Sequence, residues 1–179
     1  MGFSKRRASN TKEDKHLAEL NEAMKLYKEQ EKISRELGDK AGLKASLGKQ
    51  ALILKDRGEL DEAMRLYKEK ERICRELGDK AGLQRSLGNQ ANILYTRDEL
   101  DEAMKLYKEQ EKISRELGDE AGLATSLVNQ ALVLIQDPHC SREALALAEE
   151  AYSMASGHGY TALAQQIKPI LDNIRSACG

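Results

Sequence analysis

The chain has 179 residues with 29 basic and 30 acidic side chains, a formal charge of −1 at pH 7. Charge so nearly cancelled gives no overall attraction to nucleic acid or to an acidic membrane surface. Charged residues make up 33%, aromatics only 4%, Trp is absent and Pro appears twice, the profile of a long-helix protein.

The three cysteines, Cys74, Cys140 and Cys178, are few, odd in number and widely spaced. This argues against a disulfide scaffold and for a reducing compartment. No apolar run approaches the roughly 20 residues of a membrane helix, and the N-terminus lacks the apolar stretch of a secretion signal. The expectation is a cytoplasmic protein.

In chain order, residues 1–12 read as a flexible basic tail. Its "KRRAS" at 5–9 resembles a basic-directed phosphorylation site with Ser9 as acceptor; a solvated tail without that role is the plainer reading. The first clear helix is expected over 13–37, with an apolar stripe of Leu20, Ala23, Leu26, Tyr27, Ile33 and Leu37. Then "ELGDKAGL" occurs at 36–43 and 76–83, and "ELGDEAGL" at 116–123. The whole chain repeats with that spacing. Residues 19–58 match 59–98 at 28 of 40 positions without gaps, and match 99–138 at 29. A fourth, diverged copy begins near Cys140.

Each block holds two helical patterns. The second block opens with "ELDEAMRLYKEKERICRELG", in which Leu60, Ala63, Leu66, Tyr67, Ile73, Cys74 and Leu77 make one apolar stripe. Asp61 and Glu62 suit the positive end of the helix dipole. Gly78 ends this helix in the left-handed conformation that Gly tolerates, and Asp79 can cap the next. The repeated octapeptide is therefore a stop, a turn and a start. The following helix, "AGLQRSLGNQANILYTR", buries Leu83, Leu87, Ala91, Ile93 and Leu94. Gln50, Gln90 and Gln130 fall on the buried side and are expected to form interhelical hydrogen bonds. A turn at Gly58 or Asp98 leads into the next block. The expected repeats are 40–77, 80–117 and 120–157, closed by a helix over 159–177 that Pro169 should kink or interrupt.

These helix pairs resemble the tetratricopeptide repeat. Ala51 with Ala63, and Ala91 with Ala103, sit at the spacing of that family's two small residues at the helix crossing. Leu54 and Leu94 match its large helix A position, Tyr67 and Tyr107 its helix B aromatic, and Leu60 and Leu100 its inter-helix hydrophobic residue. The family's junction Pro is replaced by "LGDKAG", a variant similar to repeats of kinesin light chains, spindle-orientation adaptors and bacterial signalling proteins. The resemblance covers about residues 16–157. It implies an all-α fold, a right-handed superhelical solenoid of about seven antiparallel helices. The first helix is then a helix B with no helix A before it, and its exposed flank suggests weak homodimerisation through residues 13–37 or cover by another domain.

Chemistry is sparse. His16, His139 and His158 share no helix face, and His139 and Cys140 form a lone pair after Pro138. No metal site, no Gly-rich phosphate loop and no cofactor are expected, and the chain does not read as an enzyme.

The contrast between copies carries the functional reading. Helix B changes mainly among similar residues, whereas helix A changes in kind. Ala45, Arg85 and Thr125 correspond, as do Lys49, Asn89 and Asn129; Leu52, Asn92 and Leu132; and Lys55, Tyr95 and Ile135. These positions fall on one helix A face, which in the tetratricopeptide fold lines the concave groove. In some family members a basic residue and an Asn here grip a peptide carboxylate, but Thr125 leaves that set incomplete. Lys49, Lys55, Arg85, Asn89 and Asn92 make a basic, amide-rich patch suited to an extended acidic peptide. Tyr95, Asn129 and Leu132 continue the face, and Val128, Leu132 and Ile135 could take an apolar side chain unless the last helix covers them. The expected function is protein or peptide binding, without nucleic acid or membrane. The rival is a structural or self-associating array with no groove ligand.

Overall fold

The computed structural model describes residues 3–137 and 141–178, with side chains for 14–137 and 142–177. The described residues form eight helices and no strand. They are α1 (Phe3–Leu37), α2 (Lys40–Asp56), α3 (Leu60–Leu77), α4 (Lys80–Thr96), α5 (Leu100–Leu117), α6 (Glu120–Leu134), α7 (Ser141–Gly157) and α8 (Thr161–Cys178). The helices α2, α4 and α6 are the expected A helices, and α1, α3, α5 and α7 the B helices.

Two boundaries differ from the sequence reading. The helix expected from 13 runs from Phe3, because residues 3–37 contain neither Gly nor Pro and are rich in Lys, Arg, Ala and Glu, which favour helix. Pro169 does not interrupt α8, which continues to Cys178. The residue four positions before it, Gln165, is exposed, so the carbonyl freed by the missing N–H is not trapped in the core. The histidine–cysteine pair at 139–140 lies outside the described residues, as does the side chain of Ser9.

The octapeptide joint takes the expected form. Gly38, Gly78 and Gly118 adopt φ of 67°, 64° and 66°. The next residue donates its N–H back to Ser34, Cys74 or Ser114 at 2.8, 2.9 and 3.0 Å, closing helix B with a Schellman turn. That same residue caps the following helix: Asp39, Asp79 and Asp119 accept from the N–H groups of Gly42, Gly82 and Gly122 at 3.0, 2.9 and 3.0 Å. In the A-to-B turns Gly58 has φ 77° and Asp98 φ 62°, the latter a conformation Asp tolerates better than most residues. Gly159 repeats the positive φ at the last joint, where Tyr160 replaces the capping Asp.

The contacts divide the chain into two compact units, residues 1–73 and 74–179. In the first, α1 packs on α2, and Leu47, Ala51, Ala63, Tyr67 and Ile73 are buried. Gln50 donates to the Glu31 carboxylate at 2.6 Å, so this buried amide is held by an acid on the preceding helix B. Arg35 reaches Glu69 at 2.8 Å, tying α1 to α3.

In the second unit each helix packs on the next from α4 to α8, and α4 and α8 both touch α6. Leu87 packs with Cys74, Leu83 and Ile113, and Ala91 with Ala103, Tyr107 and Val133. Gln130 donates to Glu111 at 2.7 Å, the same amide-to-acid bond as in the first unit. Arg75 with Glu109 at 2.8 Å, and Arg115 with Glu150 at 3.5 Å, repeat the B-to-B ion pair. These pairs are exposed and each is worth little alone.

Leu87 and Ala91 are fully buried at helix crossings, so they test the packing. Leu87→Ala is expected to cost about 2 to 5 kcal/mol, and Ala91→Leu about 1 to 3 kcal/mol by overpacking. Chemical denaturation of both variants checks this, and losses below about half a kcal/mol in each would contradict the register.

Candidate functional site

The candidate face divides between the two units. In the first, α2 carries Lys49, Leu52 and Lys55. Lys49 and Leu52 are exposed and Lys55 is half-buried. Leu52 leaves 43% of its surface in water, unusual for a leucine on a helix whose other leucines are buried. Ala45, one turn before Lys49, is also exposed.

In the second unit, α4 and α6 lie side by side and present Arg85, Asn89, Asn92 and Tyr95 together with Thr125, Asn129 and Leu132. Arg85 and Asn92 are exposed, and Asn89, Tyr95, Asn129 and Leu132 half-buried. The Asn89 amide donates to the Arg85 carbonyl at 2.9 Å, which fixes its rotamer along the helix. Thr125 donates to the Ala121 carbonyl at 2.8 Å. Gln136 donates to the Tyr95 hydroxyl at 3.4 Å, a polar link from α6 to α4 that the sequence reading does not include. Gln136 could have been found, because it stands where the second block has Thr96, four residues beyond the variable Leu132.

The apolar extension is only partly core. Val128 is 5% exposed and packs with Ile167 of α8. Ile135 packs against the cluster of Leu171 and Ile174. Leu132 and Ile135 are both half-buried, and only Val128 is fully covered by α8. The buried residues Ile167 and Leu171 of α8 match Leu87 and Ala91 of α4, which places Gln165 and Asp172 where α4 has Arg85 and Asn92, and both are exposed.

Behind the face lies a hydroxyl–amide pair. The Tyr107 hydroxyl donates to the Asn92 side-chain oxygen at 2.7 Å. Burial holds the Tyr107 phenol in its neutral form to well above the usual range. Tyr67 is the matching residue of the first unit, and its pKa is pushed up to about 12, first by burial and then by the nearby Asp56 carboxylate. Its hydroxyl has no hydrogen-bond partner, because Leu52 stands where the second block has Asn92. One variable position thus faces outward and also decides whether a core hydroxyl is satisfied.

The sign for both tyrosines is the same. A folded-state pKa above the unfolded value of about 10 gives stability that is intact below pH 10 and lost as pH rises through the folded pKa. No cluster of three His, Cys, Asp or Glu suited to a metal occurs among the described residues. No described helix is long and apolar enough to cross a membrane. An open cavity of about 310 Å³ lies between the start of α5 and the end of α6, lined by Leu100, Asp101, Met104, Val133, Leu134, Gln136 and Asp137; it is not on the candidate face, apart from Gln136.

The pair gives a prediction. Asn92→Leu, the residue of the first block, should strand the Tyr107 hydroxyl and cost about 1 to 3 kcal/mol. Leu52→Asn should do the reverse at Tyr67 and stabilise by about 0.5 to 1.5 kcal/mol. Urea unfolding of the two variants reads both, and equal signs would contradict the exchange.

No protein-family model matches the chain. No curated protein matches it in sequence. Solved structures match it in fold. BtubC (BKLC) from P. vanneervenii aligns at 18% identity and a TM-score of 0.63, over 91% of this chain and 76% of that one. A signal-transduction ATPase from Pyrococcus horikoshii with a tetratricopeptide repeat sensor aligns at 17% and 0.75, over 89% of this chain. The match spans 25% of that ATPase's length. A Podosopora anserina chain described as a kinesin light chain, with nearly identical TPR-like repeats, aligns at 17% and 0.53 over 98% of both chains. With its paired helices, small residues at the crossings and repeated joints, the chain has the all-α helical-repeat fold of tetratricopeptide-like proteins.

Proposed function

We propose that the chain is a non-catalytic protein-interaction module whose helix A face receives an extended, acidic peptide or partner segment. The observation that carries this reading is the contrast between a conserved-in-chain helix B and a helix A face that changes chemistry from copy to copy. Charge supports it. Arg75, Arg115 and Arg175 all pair with carboxylates, whereas Arg85, Lys49 and Lys55 make no ion pair among the described residues. Cations left without acids on a face that also offers Asn89, Asn92 and Asn129 suit carboxylates and peptide amides. In the second unit the half-buried Leu132 and Tyr95 give a side chain of the guest apolar surface to rest on.

A structural array with no groove ligand is the alternative. The weak homodimer expected through residues 13–37 would use a different surface and leaves this reading untouched. A cytoplasmic location fits a reduced buried thiol at Cys74.

Fluorescence anisotropy with a library of extended acidic peptides tests the reading. A bound peptide should lose roughly tenfold or more in affinity with Arg85→Glu combined with Asn89→Ala. Binding should also weaken as salt is raised. Peptides that bind both forms equally, or no peptide binding at all, would move the site off helix A.

A further inference from the structure

The helix α5 shows what one flank of helix B is for. Its Ile113 packs with Leu83 and Leu87 of the preceding helix α4, and Leu106 lies beside them. Between the two, Gln110 closes over Gly88, where an added Cβ would come within 2.9 Å of the amide. At the rim, Glu116 takes Lys80, the first residue of α4, at 2.8 Å. This flank reads one kind of partner: a helix that starts with Lys, carries Leu three and seven residues on, and follows the second Leu with Gly.

The same four residues recur on α1 in the same register, Leu26, Gln30, Ile33 and Glu36. Its other side is engaged by α2, where Met24 and Ser34 are buried. The flank itself is open. Leu26 is 56% exposed and Ile33 48%, against 2% and 1% for Leu66 and Ile73 on α3. Leu37 is exposed too.

A second copy of this chain fits poorly. Its helix A leucine pairs are all in use, since Leu43, Leu47, Leu83, Leu87, Leu123 and Leu127 are buried. The matching pair on α8, Leu163 and Ile167, is also in use, packed with Ala151 and Ala155 of α7. Two α1 flanks facing each other would oppose the exposed acids Glu22, Glu29 and Glu36 that line the stripe. Like charges across an interface weaken it.

We propose that the open flank of α1 is a docking site for an amphipathic helix of a partner protein, one that presents a basic first residue and a Leu-x-x-x-Leu-Gly face. This site is separate from the helix A face and stands whether or not that face binds peptide. The recognition mode is a helix seated on an apolar stripe, with acids at the rim choosing a basic helix start.

The probe is a peptide with the sequence of residues 80–97, added to the full chain. Saturable binding is expected, with hydrogen-exchange protection confined to residues 20–37. Leu26→Lys with Ile33→Lys should weaken it roughly tenfold or more, and so should Leu83→Lys with Leu87→Lys in the peptide. Both positions on α1 are exposed, so the protein variant should keep its circular dichroism and melting temperature. Absence of saturable binding at about 1 mM peptide, a weak limit of detection, would overturn the proposal. So would binding that the α1 variant leaves unchanged. Sedimentation of the chain alone supplies the remaining arm: a dimer that Leu26→Lys dissociates would make a second copy the occupant and overturn it also, whereas a monomer agrees with it.

Discussion

The turn of two residues between helix B and the next helix A is the constraint on which the rest depends. Gly in the left-handed conformation lets the chain close one helix, and the Asp that follows both completes that closure and caps the next helix. No residue is left over to flex. Each joint therefore repeats one local geometry, the same left-handed Gly, back-bonded N–H and Asp cap at the starts of α2, α4 and α6. The joint also reaches beyond its own turn. The second carboxylate oxygen of Asp119 accepts from Gln84 at 2.7 Å, and Gln84 in turn donates to Ser114 at 2.8 Å, so the start of α6 is tied to α4.

A fixed joint frees the surface. Helix B supplies the buried Ile, Tyr and small residues and the Arg–Glu contacts, and these change little between copies because each change would be felt by two neighbouring helices. The outer face of helix A touches few partners, so it can change in kind. The Tyr–Asn pair behind Asn92 marks the limit of that freedom. Where the face takes Leu52, a core hydroxyl loses its partner, a cost of about 1 to 3 kcal/mol that the unit tolerates.

The repeat and its boundaries were legible because the joint is written in residues with one structural use each. Gly after a charged helix end and Asp after Gly place the helix starts at 40, 80 and 120, where they are found. The buried stripes were legible from spacing, since Leu87, Ala91, Tyr67 and Tyr107 are all core. Helix length at the N-terminus was not, because a basic run without Gly or Pro satisfies helix and tail composition alike. The burial of Val128 and the partial cover of Ile135 depended on where α8 sits, and the fourth copy had lost its phase with the others. The glutamines were placed on the correct side, but their partners Glu31 and Glu111 are charged residues of a neighbouring helix B that spacing alone assigns to solvent. Of the candidate face, exposure of Lys49, Leu52, Arg85 and Asn92 followed from register, whereas the Asn92–Tyr107 and Tyr95–Gln136 bonds needed side-chain geometry.

The central claim is that frame and face are separable: helix B and the joints hold the fold, and the helix A surface is the proposed recognition face. Transplanting the α2 surface onto α4 tests it most directly, by Arg85→Ala, Asn89→Lys, Asn92→Leu and Tyr95→Lys in one chain. Unfolding free energy and the acidic-peptide binding profile are then measured on the same protein. The account predicts a stability loss of no more than about 1 to 3 kcal/mol, the size of one stranded hydroxyl, with a changed set of bound peptides. A chain that unfolds outright, or one that keeps both its stability and an unchanged peptide profile, would contradict it.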